Sequence, residues 1–178
     1  MDLQRELVRL VGAFQGAGID FALIGGLALA AHGAARATAD LDLLAEGERD
    51  ADVHRILLGL GYECLHRTPD VANYAASGCV SGRVDFLFAR RSYGKAMLAR
   101  AAAQPVLGVS LKVVDATDLV GLKVQASSND RSRRHRDLAD IQSLLRAARE
   151  LDLARMREYF RLFDREKELD ALLEEVRR

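Results

Sequence analysis

The run Ala39-Asp40-Leu41-Asp42-Leu43-Leu44 constrains this chain more than any other stretch. On an extended strand, residues two apart share a face and their neighbours take the other. Leu41 and Leu43 therefore ask for a core on one side, while Asp40 and Asp42 stand together on the other. Their Cα atoms would lie about 6.6 Å apart along the strand. Two unpaired carboxylates at that separation repel by roughly 2.5 kcal/mol at an effective dielectric of about 20. A hard divalent cation with oxygen ligands is the natural compensation. The alternative is a solvated strand edge with two harmless aspartates, and for an isolated Asp-x-Asp that alternative would stand.

The context shifts the balance. Phe21-Ala22-Leu23-Ile24 reads as a short buried strand, Gly25-Gly26 breaks it, and Leu27 to Ala31 starts a helix that Gly33 stops. Glycine lets a backbone approach a ligand closely, and a helix start offers unpaired N–H groups to phosphate. Alone, Gly-Gly is a tight strand-to-helix turn that needs no side chain. A third acid, Asp85, interrupts the apolar run Val84-Asp85-Phe86-Leu87-Phe88. Such an acid is costly to bury unless it is paired or coordinated; its alternative is an edge-strand aspartate in water. Together, a phosphate cradle beside an acidic metal site is what nucleotidyl transfer requires.

The remaining pattern describes an α+β chain. Leu3, Leu7, Leu10, Val11 and Phe14 mark an amphipathic opening helix that ends near Gly16. Ala39 to Leu44 is the acid-bearing strand, and Glu48 to Leu60 a second amphipathic helix. Three strands follow over 62–66, 71–76 and 83–88, with turns at Gly78 and Gly82. A helix is expected over 92–102 and a strand over 109–114, after which Asp115 or Thr117 can cap a helix. From there the periodicity is helical only. The composition shift near residue 115 divides the chain into a core over 1–114 and a helical subdomain over 115–178 packed on it.

Lysine plus arginine equals aspartate plus glutamate, 26 each, so no broad basic field suits a general nucleic-acid coat. Cys64 and Cys79 have no metal-like spacing and read as reduced thiols of a cytoplasmic protein. The charged N-terminus lacks signal-peptide order, and the longest apolar run, Phe21 to Ala31, is too short to span a bilayer. Arg131, Arg133, Arg134 and Arg136, with His135, crowd one inter-helix turn. They read either as a clamp for triphosphate or as a solvated polar loop. Met156, Tyr159, Phe160 and Phe163 read as core, or as a partner interface if their helix is left half-covered.

The stretch from Gly25-Gly26 through His32, Arg36-Ala37-Thr38-Ala39 to Asp40-Leu41-Asp42 resembles the first motif of the polymerase-β-like nucleotidyltransferase superfamily. The likeness is nearest to the abortive-infection toxin type and its small bacterial relatives. Asp118-Leu119 to Ala126, with Lys123, resembles a later helix of that family, and Arg136-Asp137-Leu138-Ala139-Asp140-Ile141 another. The resemblance spans roughly residues 18 to 146. It implies a nucleotidyltransferase fold, with a mixed sheet flanked by helices and a helical C-terminal part. It implies Mg2+ or Mn2+ on Asp40, Asp42 and Asp85, and ATP or another NTP as substrate. Gly25 and Gly26 would contact the triphosphate, Arg36 and Thr38 lie on the loop before the metal strand, and Lys123 would approach a phosphate. Asp137 would orient Lys123 or the acceptor, and Asp85 doubles as a base. Without the resemblance, Lys123 reads as a solvated helix residue and Asp137 as an acid favoured by a helix dipole. His32 reads as a helix-end packing residue. The acceptor would be a small molecule, a tRNA end or a protein hydroxyl. The helical part is shorter than in those toxins, which weighs against a tRNA-sized acceptor. A non-catalytic nucleotide-binding regulator, or the partner of an antitoxin, is the competing function.

Overall fold

The computed structural model describes residues 2–76 and 82–177. Gly78 and Cys79 lie outside the described residues. Helix α1 (Leu3–Gly16) is capped by Asp2, whose side chain accepts from the Arg5 N–H, and it buries Leu7, Leu10, Val11 and Phe14. Strand β1 (Phe21–Ile24) runs straight into α2 (Gly25–Ala31), so Gly25 and Gly26 are its first residues rather than a spacer before it. Strand β2 (Leu41–Glu46) starts two residues later than the alternation suggests and leaves Asp40 outside it. A 3-10 turn (Gly47–Arg49) leads into α3 (Asp50–Gly59). Strands β3 (Tyr62–Arg67), β4 (Val71–Ala76) and β5 (Arg83–Ala89) follow, then α4 (Ser92–Arg100).

One strand was not foreseen. The helix expected to reach residue 102 stops at Arg100, and Ala102–Val106 forms β6, paired antiparallel with β7 (Val109–Val113). Leu107 and Gly108, at φ 49° and 79°, make the hairpin turn between them. The alanines favour helix, but Pro105 cannot continue one and is tolerated on an edge strand.

The seven strands form a mixed sheet in the order β3-β4-β5-β2-β1-β7-β6. The β1/β7 and β2/β5 pairs are parallel and the others antiparallel. One sheet face carries Leu41 and Leu43 of β2, Val84, Phe86 and Phe88 of β5, and Ala72 and Tyr74 of β4, all buried. Phe86 meets Phe14 of α1 and Tyr74 edge-on, with ring centroids 5.8 and 5.9 Å apart. That aromatic core decides which residues of β2, β4 and β5 must face the other way.

After β7 the chain is helical: α5 (Ala116–Asn129), a 3-10 turn (Arg131–Arg133), α6 (Arg134–Ala147), α7 (Leu153–Arg161) and α8 (Glu166–Arg177). Asp115 is the N-cap of α5, accepting from the Asp118 N–H at 2.8 Å. Asp118 is fully buried, and Arg100 of α4 donates to both its oxygens, at 3.0 and 2.9 Å. The Tyr159 hydroxyl of α7 donates to it at 2.6 Å. Burial and that carboxylate push the Tyr159 phenol up. Gly121 lets α5 and α7 touch, since a Cβ there would lie 2.6 Å from the Tyr159 ring. Among the described residues no helix is long and apolar enough to cross a membrane.

Candidate active site

Register builds the site. Asp42 of β2 stands opposite Ile24 of β1 on one side and Asp85 of β5 on the other, and Asp85 stands opposite Asn73 of β4. Residues directly paired across strands share a face. Asp42, Asp85 and Asn73 thus form one polar row on the face away from the aromatic core. The Asn73 amide donates from Nδ2 to Asp85 Oδ1 at 2.8 Å.

The Asp42 carboxyl is perturbed. Burial first, and then the Asp85 charge, push its carboxyl above the ordinary range. Lys123 opposes them, Asp40 adds to them, and a hydrogen bond from the Gly26 N–H opposes them again. The start of α2 therefore faces the acid.

Both glycines are sterically required. Gly25 has φ 66°, and a Cβ on it would sit 2.0 Å from Asp42 Oδ2. A Cβ on Gly26 would sit 2.7 Å from Thr38 Cβ. Gly25→Ala is expected to lose at least about 1–2 kcal/mol from the left-handed backbone alone, with more from the clash. Urea unfolding checks this. Part of the loss should return in an Asp42→Ala background, which removes the Oδ2 and Cγ atoms that the new methyl meets.

Asp40 departs from the expected trio. It sits in a bend before β2, so the strand's two-residue period does not carry it onto the row. Its Oδ1 accepts from the Arg83 N–H at 2.9 Å, and Arg83 Nη2 is 3.8 Å from its Oδ2. Among the described residues no group of three or more His, Cys, Asp or Glu side chains is arranged to hold a metal ion. The structure brings together a pair, Asp42 and Asp85, with Asp40 as a neighbouring charge.

Lys123 is not the solvated residue its sequence suggests, being only 6% exposed. Its ammonium lies 3.1 Å from Asp137 Oδ1 and 2.6 Å from Asp140 Oδ2, both acids being buried on α6. Arg36 Nε lies 3.1 Å from Asp140 Oδ1 and joins the loop before β2 to this cluster. Asp137 Oδ2 is buried with no hydrogen-bond partner; Arg133 Nε stands 3.5 Å from it. Thr38 packs under Gly26 and donates from Oγ1 to the Asp40 carbonyl at 3.4 Å. The crowded arginines do not all turn to one partner. All of them and His135 are exposed, and Arg134 turns to Glu168 at 2.6 Å. His32 ends α2, its Nε2 donating to the Val114 carbonyl at 2.8 Å.

Two polar residues here had no role assigned from sequence. Asp140 had a signal, its three-residue spacing from Asp137, which places both acids on one helix face. Asn73 had none, because only the register reveals it. A cavity of about 680 Å³ lies apart from this row, walled by His32, Asp115, Ala147 and Glu150. The acid row has the stronger claim to chemistry, since it combines a perturbed carboxyl, a close backbone approach and a buried cation.

Residues 1–177 match the family model described as uncharacterised nucleotidyltransferase. No curated protein matches the chain. The solution structure of the antibiotic-resistance factor ANT(2'')-Ia superposes with a TM-score of 0.65 at 14% identity, covering 97% of this chain and 96% of that one. The same factor in complex with adenylyl-2''-tobramycin gives 0.63 at 13% identity, covering 92% and 98%. Lincomycin-bound LnuA, a lincosamide antibiotic adenylyltransferase, gives 0.53 at 15% identity, covering 79% and 94%. At such identities the likeness is one of fold: a mixed sheet with flanking helices, as the α+β pattern led one to expect.

Proposed function

The chain belongs to the uncharacterised nucleotidyltransferase family, and from that premise we propose that it moves a nucleoside monophosphate from ATP to the hydroxyl of a small acceptor. The observation that carries this reading is the in-register pair Asp42–Asp85 beside the start of α2, with the Asp42 carboxyl raised by burial and by its neighbour. Such a pair suits a hard cation. Magnesium is commonly held by one or two carboxylates and completes its shell with water and substrate phosphates. The two-acid arrangement therefore fits Mg2+ or Mn2+ without a third convergent side chain. When bound, that ion neutralises triphosphate oxygens and favours ionisation of the acceptor hydroxyl.

The chain's own groups divide the remaining work. Asp42 and Asp85 would hold the ion, with Asp40 as the third carboxylate beside them. Gly25 and Gly26 let the start of α2 lie against Asp42 and Thr38, where the triphosphate would contact it. Lys123, Arg36 and Asp137 form the cationic and orienting side of the nucleotide site, with Thr38 on the loop that leads to it. The acceptor oxygen bonds to the α-phosphorus as its bond to the β-phosphate oxygen breaks. Pyrophosphate leaves and the acceptor proton passes to Asp85. A core over 1–114 with a helical subdomain over 115–178 suits this division, since Lys123 and Asp137 come from the second part and the acid pair from the first.

Support for a small acceptor comes from the fold shared over nearly full length with a factor whose complex holds adenylyl-2''-tobramycin, and over 79% of this chain with lincomycin-bound LnuA. The test is incubation with α-labelled ATP and Mg2+ or Mn2+ against hydroxyl-bearing small molecules, RNA and protein. Label on a small acceptor with release of pyrophosphate is expected. Label on RNA or protein alone would replace the acceptor assignment. No release with any acceptor would reject the enzyme, and a thermal shift from ATP and metal would then leave a nucleotide-binding regulator on the same fold.

A further inference from the structure

Asn73 completes the polar row yet is neither an acid nor a cation. Along β4 its neighbours Ala72 and Tyr74 are buried in the aromatic core, and alternation turns Asn73 to the acid face, where it is half-buried. It stands opposite Asp85, and its Nδ2 donates to Asp85 Oδ1 at 2.8 Å. We propose that Asn73 is a positioning residue, occupying one oxygen of Asp85 so that the other is left to face the cation and the acceptor hydroxyl. The proposal rests on the nucleotidyl-transfer reading of the site.

The residue type is what the position needs. An arginine or lysine would donate equally well but would cancel the negative charge that draws the ion. An aspartate or glutamate would bring a further like charge and no donor. A neutral donor fixes the Asp85 carboxylate and leaves the charge of the pair intact. It also replaces water that would otherwise solvate a half-buried oxygen. Outer partners that orient metal-binding carboxylates change metal affinity or activity by roughly 10- to 100-fold when removed.

Valine and threonine are nearly isosteric and both favour strands, but only threonine keeps a hydroxyl donor. Mn2+ binding to the nucleotide-free protein is read by electron paramagnetic resonance, beside transfer kinetics and melting. Asn73→Val is expected to weaken Mn2+ binding and lower kcat by roughly tenfold or more, while Asn73→Thr retains most of both. Both variants should melt near the wild type. The proposal is overturned if Asn73→Val binds Mn2+ like the wild type while Asp85→Asn binds it weakly. Equal losses in the valine and threonine variants also overturn it, since amide shape rather than donation would then matter. If Asp85→Asn itself binds Mn2+ undiminished, the acid pair is not the cation site, and the reading beneath the proposal fails with it.

Discussion

Asp42→Asn is expected to abolish nucleotidyl transfer while raising the melting temperature of the metal-free protein at neutral pH. The two effects have one cause. Asp42 and Asp85 are direct partners on adjacent strands. At a separation near the strand spacing of about 4.8 Å, two carboxylates repel by roughly 3 kcal/mol at an effective dielectric of about 20. Lys123 and the Gly26 N–H offset part of this, yet the Asp42 carboxyl remains above its ordinary value. Asparagine keeps the shape and removes the charge. A net gain of about 1 kcal/mol raises the melting temperature of a chain this size by roughly 2–4 °C. Loss of transfer should exceed roughly 100-fold, the upper range for partners that merely orient a metal ligand.

The sign against pH follows from the same shift. The folded value of Asp42 lies above the unfolded value of 3.8. Its favourable contribution is therefore complete below 3.8 and lost as pH rises through the folded value. The metal-free wild type should lose stability over that window, and Asp42→Asn should lack that part of the slope. Adding Mg2+ and ATP should reverse the ranking, stabilising the wild type and leaving the variant unmoved. A variant that melts below the wild type without metal, or transfers normally, would remove Asp42 from the proposed site.

The sequence made the acids of this site visible because their cost was visible. Asp42 and Asp85 each interrupt an apolar strand, and Gly25-Gly26 separates a strand from a helix. The parity argument worked where the strand existed and failed one residue before it, at Asp40, where a bend replaces the pleat. Lys123 and Asp137 stood out only through resemblance to a family, because nothing in a helical lysine tells which way it turns. Asn73 and Asp140 illustrate the deeper limit. Their meaning comes from partners 12 and 17 residues away, brought close by sheet register and helix packing. Strand β6 was hidden for a related reason: its alanines prefer helix locally, and only pairing with β7 overrides that preference.

Lys123 carries the largest expected effect on stability. It is the cation shared by two buried acids, Asp137 at 3.1 Å and Asp140 at 2.6 Å, and one oxygen of Asp137 already lacks a hydrogen-bond partner. Methionine matches its length and apolar stem without the charge. Lys123→Met would leave both carboxylates buried with only Arg36 and Arg133 beside them. Removing one partner of a buried ion pair typically destabilises by about 3–5 kcal/mol. The melting temperature should therefore fall by on the order of 10 °C. Neutral groups in place of a buried ion cluster are often tolerated, so adding Asp137→Asn and Asp140→Asn should restore most of the loss. Transfer should not return with stability, because the triple variant lacks both Lys123, which favours the ionised form of Asp42, and Asp137 of the proposed nucleotide site. Chemical unfolding and the labelled-ATP assay on the single and triple variants separate the two roles. A triple variant that recovers both stability and transfer would make Lys123 and Asp137 a structural ion pair alone. A single variant as stable as the wild type would mean that the α6 acids do not depend on it.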